Sequence, residues 1–394
     1  MYAASPCNRS LPLKVLRARD DPKGMAFDLD AALGNTMRIG ASDLHVKVPS
    51  VPKVRVAGRL MDLPGAAPIT MEEAQAIQRQ VITADGKRSE LSRNGSTDAS
   101  YYNGEGRFRA SVFTQRGTPA FVFRVVPEAP AADKLGLPEA VGNWSDALRG
   151  LVVVTGPTGS GKSTTCAAVI NLINRRRDCH ILTIEDPIEF LHADARAMVS
   201  QREIGLDAPT YHVALRAAMR QDPDVIMVGE VRDEETAMTA LRAAETGHLV
   251  LCTMHTIDAA ETVQRFVDFF GEQRGDLARQ MLGATLVGVC AQRLVPAANG
   301  GMALNAEVML NTSRVQKLII EGGALSDITK AIGEGDYYGM QTFDQSLLAK
   351  VRDGSVSETD ALSYASEPHD FSLALQQQQQ PAEPAEQTAS AWTA

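Results

Sequence analysis

Residues 156–163 read Gly-Pro-Thr-Gly-Ser-Gly-Lys-Ser, and no other stretch limits the possible folds of this chain as much. The spacing G-x-x-x-x-G-K-[ST] calls for a strand ending at the first glycine and a helix opening at the lysine. Between them the glycines let backbone N–H groups wrap an anion. Both flanks comply: Leu151–Val154 is an apolar run, and Thr164–Arg176 has the composition of a helix. The positive end of that helix points at the same anion. The cofactor-binding candidates are therefore Gly156, Pro157, Thr158, Gly159, Ser160, Gly161, Lys162, Ser163 and Thr164. Lys162 would reach the β- and γ-phosphates of a nucleoside triphosphate, and Ser163 would hold Mg²⁺.

Three more apolar runs follow: Ile181–Ile184, Val225–Val228 and Leu249–Met254. Helix-like stretches separate the four, the pattern of a parallel α/β sheet. Each run ends in a polar or glycine-rich group: Gly156, Glu185, Gly229-Glu230 and His255. Open sheets of this kind bind ligands at the carboxyl ends of their strands, so four strands deliver polar groups to one edge. Glu230 can orient a water or accept its proton. Gly229 stands where a magnesium-binding aspartate is usual. The metal must then rely on Ser163, water and another carboxylate, and Glu185-Asp186-Pro187-Ile188-Glu189 offers that carboxylate. His248 and His255 flank the last strand. Both are catalytic candidates, with His255 at the carboxyl end the better placed.

The first part of the chain differs. Residues 1–25 read as a flexible tail and residues 26–126 as a mixed domain. Helical spacing covers 71–82. Phe108, Ala110 and Val112 alternate with Arg107, Arg109 and Ser111, which predicts a half-buried strand, and Phe121–Val126 is its partner. Arg107, Arg109, Arg116 and Arg124 on that hairpin are either a solvated face or a source of an arginine finger. Residues 127–145 form a linker rich in Pro and Ala, and 146–370 a second domain that turns helical after Leu310. Thr342–Gln345 and Ser357–Asp360 resemble capping boxes opening two helices. Residues 371–394, with five consecutive glutamines, read as a disordered tail.

Composition removes several classes. The 394 residues carry 39 Lys+Arg against 48 Asp+Glu, a net charge of −9, which argues against nucleic acid as partner. Cys7, Cys166, Cys179, Cys252 and Cys290 show no C-x-x-C spacing, so neither a zinc module nor a disulfide scaffold is expected. No apolar run approaches the ~18 residues of a membrane span, and the N-terminus lacks the apolar stretch of a signal peptide. A cytoplasmic protein without membrane insertion is the expectation.

Four motifs in order resemble the secretion ATPase family that drives type II secretion and type IV pili: GPTGSGKSTT (156–165), TIEDPIEF (183–190), DPDVIMVGEVRD (222–233) and AAETGHLVLCTMHT (243–256). They correspond to that family's Walker A, Asp box, atypical Walker B and His box. The resemblance extends to SDLH (42–45), GEGRFR (104–109), FTQRG (113–117) and GMQTFDQSL (339–347), and so spans roughly 40–365. It implies an α/β chain in which an N-terminal PAS-like α+β domain is joined by a linker to a C-terminal RecA-like P-loop domain with a helical end. It further implies a homohexameric motor using ATP and Mg²⁺, with Glu230 as catalytic base and Glu185 and Glu189 near metal and water, Ser163 and Glu185 being the metal candidates. Arg109, Arg116 and Arg124 would approach the nucleotide. The implied partner is an inner-membrane pilus platform protein, with a second pilus ATPase as a further candidate, and the implied location is the cytoplasmic face of the inner membrane. The short N-terminal region and the lack of a four-cysteine insertion point to the PilT-type retraction branch rather than to assembly or type II secretion. A non-catalytic accessory subunit is the remaining alternative. Two departures stand out: 314–318 read RVQKL where retraction members show Ala-Ile-Arg-Asn-Leu, and Ala99 replaces a common Phe.

Overall fold

Strand pattern decides the architecture of both halves. The computed structural model describes residues 27–379. They fall into two units, one reaching to Glu128 and including Glu189–Leu191, the other formed by Ala129–Ile188 and the chain from His192. The expected tail at 1–25 lies outside the described residues.

The first unit opens with helix α1 (Leu29–Arg38), whose N-cap Asp28 accepts from Ala31 N at 2.9 Å. Strands β1 (Asp43–Lys47), β2 (Lys53–Val56) and β3 (Arg59–Asp62) follow, then helices α2 (Met71–Val81) and α3 (Asp85–Asn94). A complete capping box of Thr70 and Glu73 starts α2, as its helical spacing requires. Strands β4 (Ser96–Tyr102), β5 (Arg107–Gln115) and β6 (Thr118–Val125) complete an antiparallel sheet in the order β3-β2-β1-β6-β5-β4. The alternation read from β5 holds: Phe108, Ala110 and Val112 are buried in one core with residues of α1 and α2. Arg116 and Gly117 form the two-residue turn to β6, both with positive φ (47° and 76°), the twist a tight hairpin needs.

The second unit begins where the linker was expected. Residues 132–134 and 143–146 are 3₁₀ turns around a short helix α4 (Glu139–Gly142), and Val141 and Trp144 are buried. The stretch from Ala129 therefore packs as part of this unit, because those two apolar side chains need a core. Next come β7 (Gly150–Thr155), α5 (Lys162–Arg176), β8 (His180–Glu185), β9 (Met198–Glu203), α6 (Tyr211–Ala218), β10 (Val225–Val228), α7 (Glu234–Glu245), β11 (Leu249–Met254), α8 (Ala259–Asp268), α9 (Gly271–Thr285), β12 (Leu286–Pro296) and β13 (Met302–Leu310). The seven strands run β13-β12-β7-β11-β10-β8-β9, all parallel except for β13 on β12. All four predicted strands are central and buried on both faces. Pleating splits their side chains in two. Val152, Val154, Met227 and Leu251 pack with Cys166, Val169 and Ile173 of α5, while Leu151, Val153, Ile226 and Val250 pack with residues of α6 to α9.

Helices α10 (Ser313–Glu321), α11 (Leu325–Gly333), α12 (Phe343–Arg352), α13 (Glu358–Tyr364) and α14 (Pro368–Gln379) end the described chain. Thr342 and Gln345 form a full capping box; at α13 Ser357 accepts from Asp360 N at 3.1 Å and donates to Asp360 Oδ2 at 2.6 Å. The expected disordered tail begins too early, since α14 runs to Gln379 and buries Phe371 against Leu347, Val356 and Ala361. Residues 380–394 lie outside the described residues.

Candidate functional site

The carboxyl ends of β7, β8, β10 and β11 assemble the site. Gly156 leaves β7 with φ 142°, and a Cβ there would meet the Gln292 carbonyl oxygen at 2.4 Å, so only glycine fits. Gly159 and Gly161 also have positive φ, 82° and 93°, and curl the loop so that backbone N–H groups face inward ahead of α5. Lys162 is buried; its Nζ donates to Gly156 O at 2.8 Å and Pro157 O at 3.0 Å. Ser160 Oγ is buried without a hydrogen-bond partner. A glycine cradle, a helix N-terminus, a buried lysine and an unmatched hydroxyl together fit a polyphosphate. Ser163 stands half-buried in the first turn of α5.

Glu230 follows β10. Its Oε1 lies 3.3 Å from His255 Nε2, and its Oε2 accepts from Arg232 Nη2 at 2.6 Å. Burial alone would raise its pKa, but Arg232 and His255 outweigh it and hold the carboxyl below the usual range. The other ring nitrogen, His255 Nδ1, is 3.5 Å from Lys162 Nζ. The tautomer that serves both neighbours carries its proton on Nε2, accepting from the lysine and donating to the glutamate. A continuous polar chain thus runs Lys162–His255–Glu230–Arg232.

Glu185 ends β8 and is buried, its Oε1 accepting from Thr183 Oγ1 at 2.6 Å and Gln201 Nε2 at 3.1 Å. Burial and the Glu185 charge push the Cys166 thiol up to about 12, against the pull of Lys162. Of the remaining candidates, His248 separates from this cluster within the second unit, and the others belong to the first unit. His248 precedes β11, at the amino end of the strand whose carboxyl end carries His255. Its Nδ1 lies 2.9 Å from Ala243 O at the end of α7, so the structure removes it from the site. Glu189 is exposed and groups with the first unit, unlike Glu185. Arg124 is bound to Asp43, Nε to Oδ1 at 2.9 Å, and sits in register opposite the exposed Arg109, while Arg116 occupies the hairpin turn.

Several contributors escaped the sequence reading. Thr155 Oγ1 lies 2.7 Å from Thr256 Oγ1, which lies 2.6 Å from Thr262 Oγ1, a buried hydroxyl chain tying β7 to the segment after β11. Gln292 donates to Thr165 Oγ1 at 2.7 Å and backs the glycine loop. Tyr211 and Arg232 border Gly229 and Glu230. Thr165, Arg232 and Thr256 fall inside the quoted motifs without being singled out there, whereas Thr155, Tyr211, Thr262 and Gln292 lie outside them.

A strand, a glycine loop and a helix, with an ionised glutamate on a neighbouring strand end, define a P-loop ATPase. The chain belongs to the type II/IV secretion system protein family, whose model matches residues 21–327. It is 40% identical over 349 residues to the type IV pilus retraction ATPase PilT of Pseudomonas aeruginosa, covering 88% of this chain and 100% of that protein. A twitching motility protein of Neisseria gonorrhoeae is 41% identical over 311 residues, 78% of this chain and 82% of that one. Among solved structures, the pilus retraction motor PilT with bound ADP superposes with a TM-score of 0.77 at 39% identity, covering 87% of this chain and 98% of that one. Among the described residues no helix is long and apolar enough to cross a membrane.

Proposed function

We propose that this ATPase is a homohexameric motor for type IV pilus retraction, and that Glu230 is its catalytic base. The carrying observation is the chain Lys162–His255–Glu230, which connects the phosphate-holding ammonium to an ionised carboxylate. In the reaction a water attacks the γ-phosphorus, its proton passes to Glu230, and the bond from phosphorus to the ADP oxygen breaks. Lys162 and the loop N–H groups bear the charge on the phosphates, and His255 orients Glu230 through Nε2. Ser163 and Glu185 are the residues that would hold Mg²⁺, which supplies charge neutralisation when bound. We read the antiparallel first unit as PAS-like and the second as RecA-like, with Arg109 carried forward as the candidate arginine finger. The platform protein of the inner membrane, and a second pilus ATPase, are the partners this reading implies, with the chain peripheral at the cytoplasmic face.

The test is ATP turnover measured with oligomeric mass for the purified chain and Glu230→Gln. Turnover by a hexamer, lost in the variant, supports the motor. A monomer or an inert chain favours the accessory-subunit alternative, and the RVQKL stretch on α10 makes a pilus-retraction assay in cells the deciding measurement of direction.

A further inference from the structure

Gln201 on β9 stands in register with Thr183 of β8, and two residues further on Glu203 stands opposite Glu185. Residues two apart on a strand share a face, so these four side chains lie on one side of the sheet. Thr183 Oγ1 and Gln201 Nε2 donate to the same oxygen, Glu185 Oε1, at 2.6 and 3.1 Å. The other end of the Gln201 amide, Oε1, accepts from His192 N at 3.0 Å. His192 is where the chain re-enters the second unit, since residues 189–191 group with the first. One amide therefore ties the carboxylate that ends β8 to the backbone that returns after it. Its neighbours brace the same stretch: Glu203 Oε2 accepts from Ile188 N at 3.2 Å, and Ile204 N donates to Glu185 O at 2.8 Å.

We propose that Gln201 is a positioning residue for the metal used in ATP hydrolysis, its amide fixing the Glu185 carboxylate at one end and the returning chain at the other. A carboxylate held at one oxygen by donors from two adjacent strands cannot turn without losing one of them. A neutral donor suits the place. Lysine or arginine would supply the same bond together with a positive charge beside a carboxylate that is to hold a cation. The inference deepens the reading of Glu185 as a metal-holding residue and rests on it.

The experiment follows Mn²⁺ binding to the ADP complex of the full chain by EPR in wild type, Gln201→Met, Glu185→Gln and the double variant. The melting temperature of the nucleotide-free, metal-free chain is read alongside. Gln201→Met is expected to raise the Kd for Mn²⁺ about 10-fold, with metal-free ADP affinity within about 2-fold of wild type. The double variant is expected to bind Mn²⁺ no more weakly than Glu185→Gln, because the amide acts through that carboxylate. If Gln201→Met does not fold, Gln201→Asn, one methylene shorter, is read the same way. An unchanged Kd in the Gln201 variant, or a loss that adds in full to that of Glu185→Gln, overturns the inference while leaving Glu185 in place. A lower melting temperature with an unchanged Kd marks a purely structural bond and overturns it equally. Unchanged Mn²⁺ binding in Glu185→Gln overturns both.

Discussion

Arg232 Nη2 lies 2.6 Å from Glu230 Oε2, while the opposite oxygen of the same carboxylate faces His255. The carboxylate proposed as base is thus held between a guanidinium and an imidazole. The guanidinium is largely exposed, so its hold on Glu230 is open to salt and to substitution.

Removing that cation has a sign that can be worked out. Burial continues to raise the Glu230 pKa once Arg232 is gone, and a base must be ionised to act. Arg232→Ala should therefore move the acid limb of the kcat profile to higher pH, with the larger loss on the acid side of the profile. A limb that stays in place would show that Arg232 does not tune the base.

Lys162→Ala removes the buried ammonium and should weaken ADP binding about 100-fold in a fluorescent-nucleotide titration, the scale of one or two charged hydrogen bonds. Retained tight binding would overturn the loop assignment.

Glu230→Gln keeps shape and loses basicity. Nucleotide affinity should survive while kcat falls about 100- to 1,000-fold in a steady-state phosphate-release assay.

Arg109→Ala tests the finger proposal. Turnover of the assembled chain should drop, with nucleotide affinity of the separate subunit unchanged. Normal turnover would leave Arg109 a solvated residue on the exposed face of its strand.

Glu307 on β13 gives a stability prediction away from the nucleotide. It is buried, accepts from Ala259 N at 2.8 Å, and burial pushes its pKa up to about 7, with Asp258 and Asp344 adding to the rise and Ala259 N–H and Arg293 opposing it. Because the folded value exceeds the unfolded one, its contribution to stability is complete below the ordinary carboxyl pKa. That contribution falls as pH rises toward 7. The melting temperature of the wild type should decline relative to Glu307→Gln across that window and stay level above it.

The sequence exposed what parallel strands must reveal. The runs of β7, β8, β10 and β11 are apolar throughout because both faces are covered, and their polar ends name Lys162, Glu185, Glu230 and His255. β12 and β13 were not read, since Leu286–Pro296 mixes Gly288, Gln292 and Arg293 with apolar residues and buries its polar groups by tertiary contacts. β9 lies at the sheet edge, half-buried and without period. A histidine flanking a strand looks alike from either side; only the shared direction of β7 and β11 tells the end that carries the glycine loop from the other, where His248 lies. Tyr211 reaches Gly229 from another element, and no spacing announces such a meeting.

The hydroxyl chain Thr155–Thr256–Thr262 also carries a mechanical meaning. Thr155 ends the strand before the glycine loop, Thr256 follows His255, and Thr262 is already within α8. Hydroxyl contacts this short tolerate little slack. The strand that leads into the glycine loop is therefore fastened, through the interior of the unit, to a helix on the opposite side of the sheet from α5.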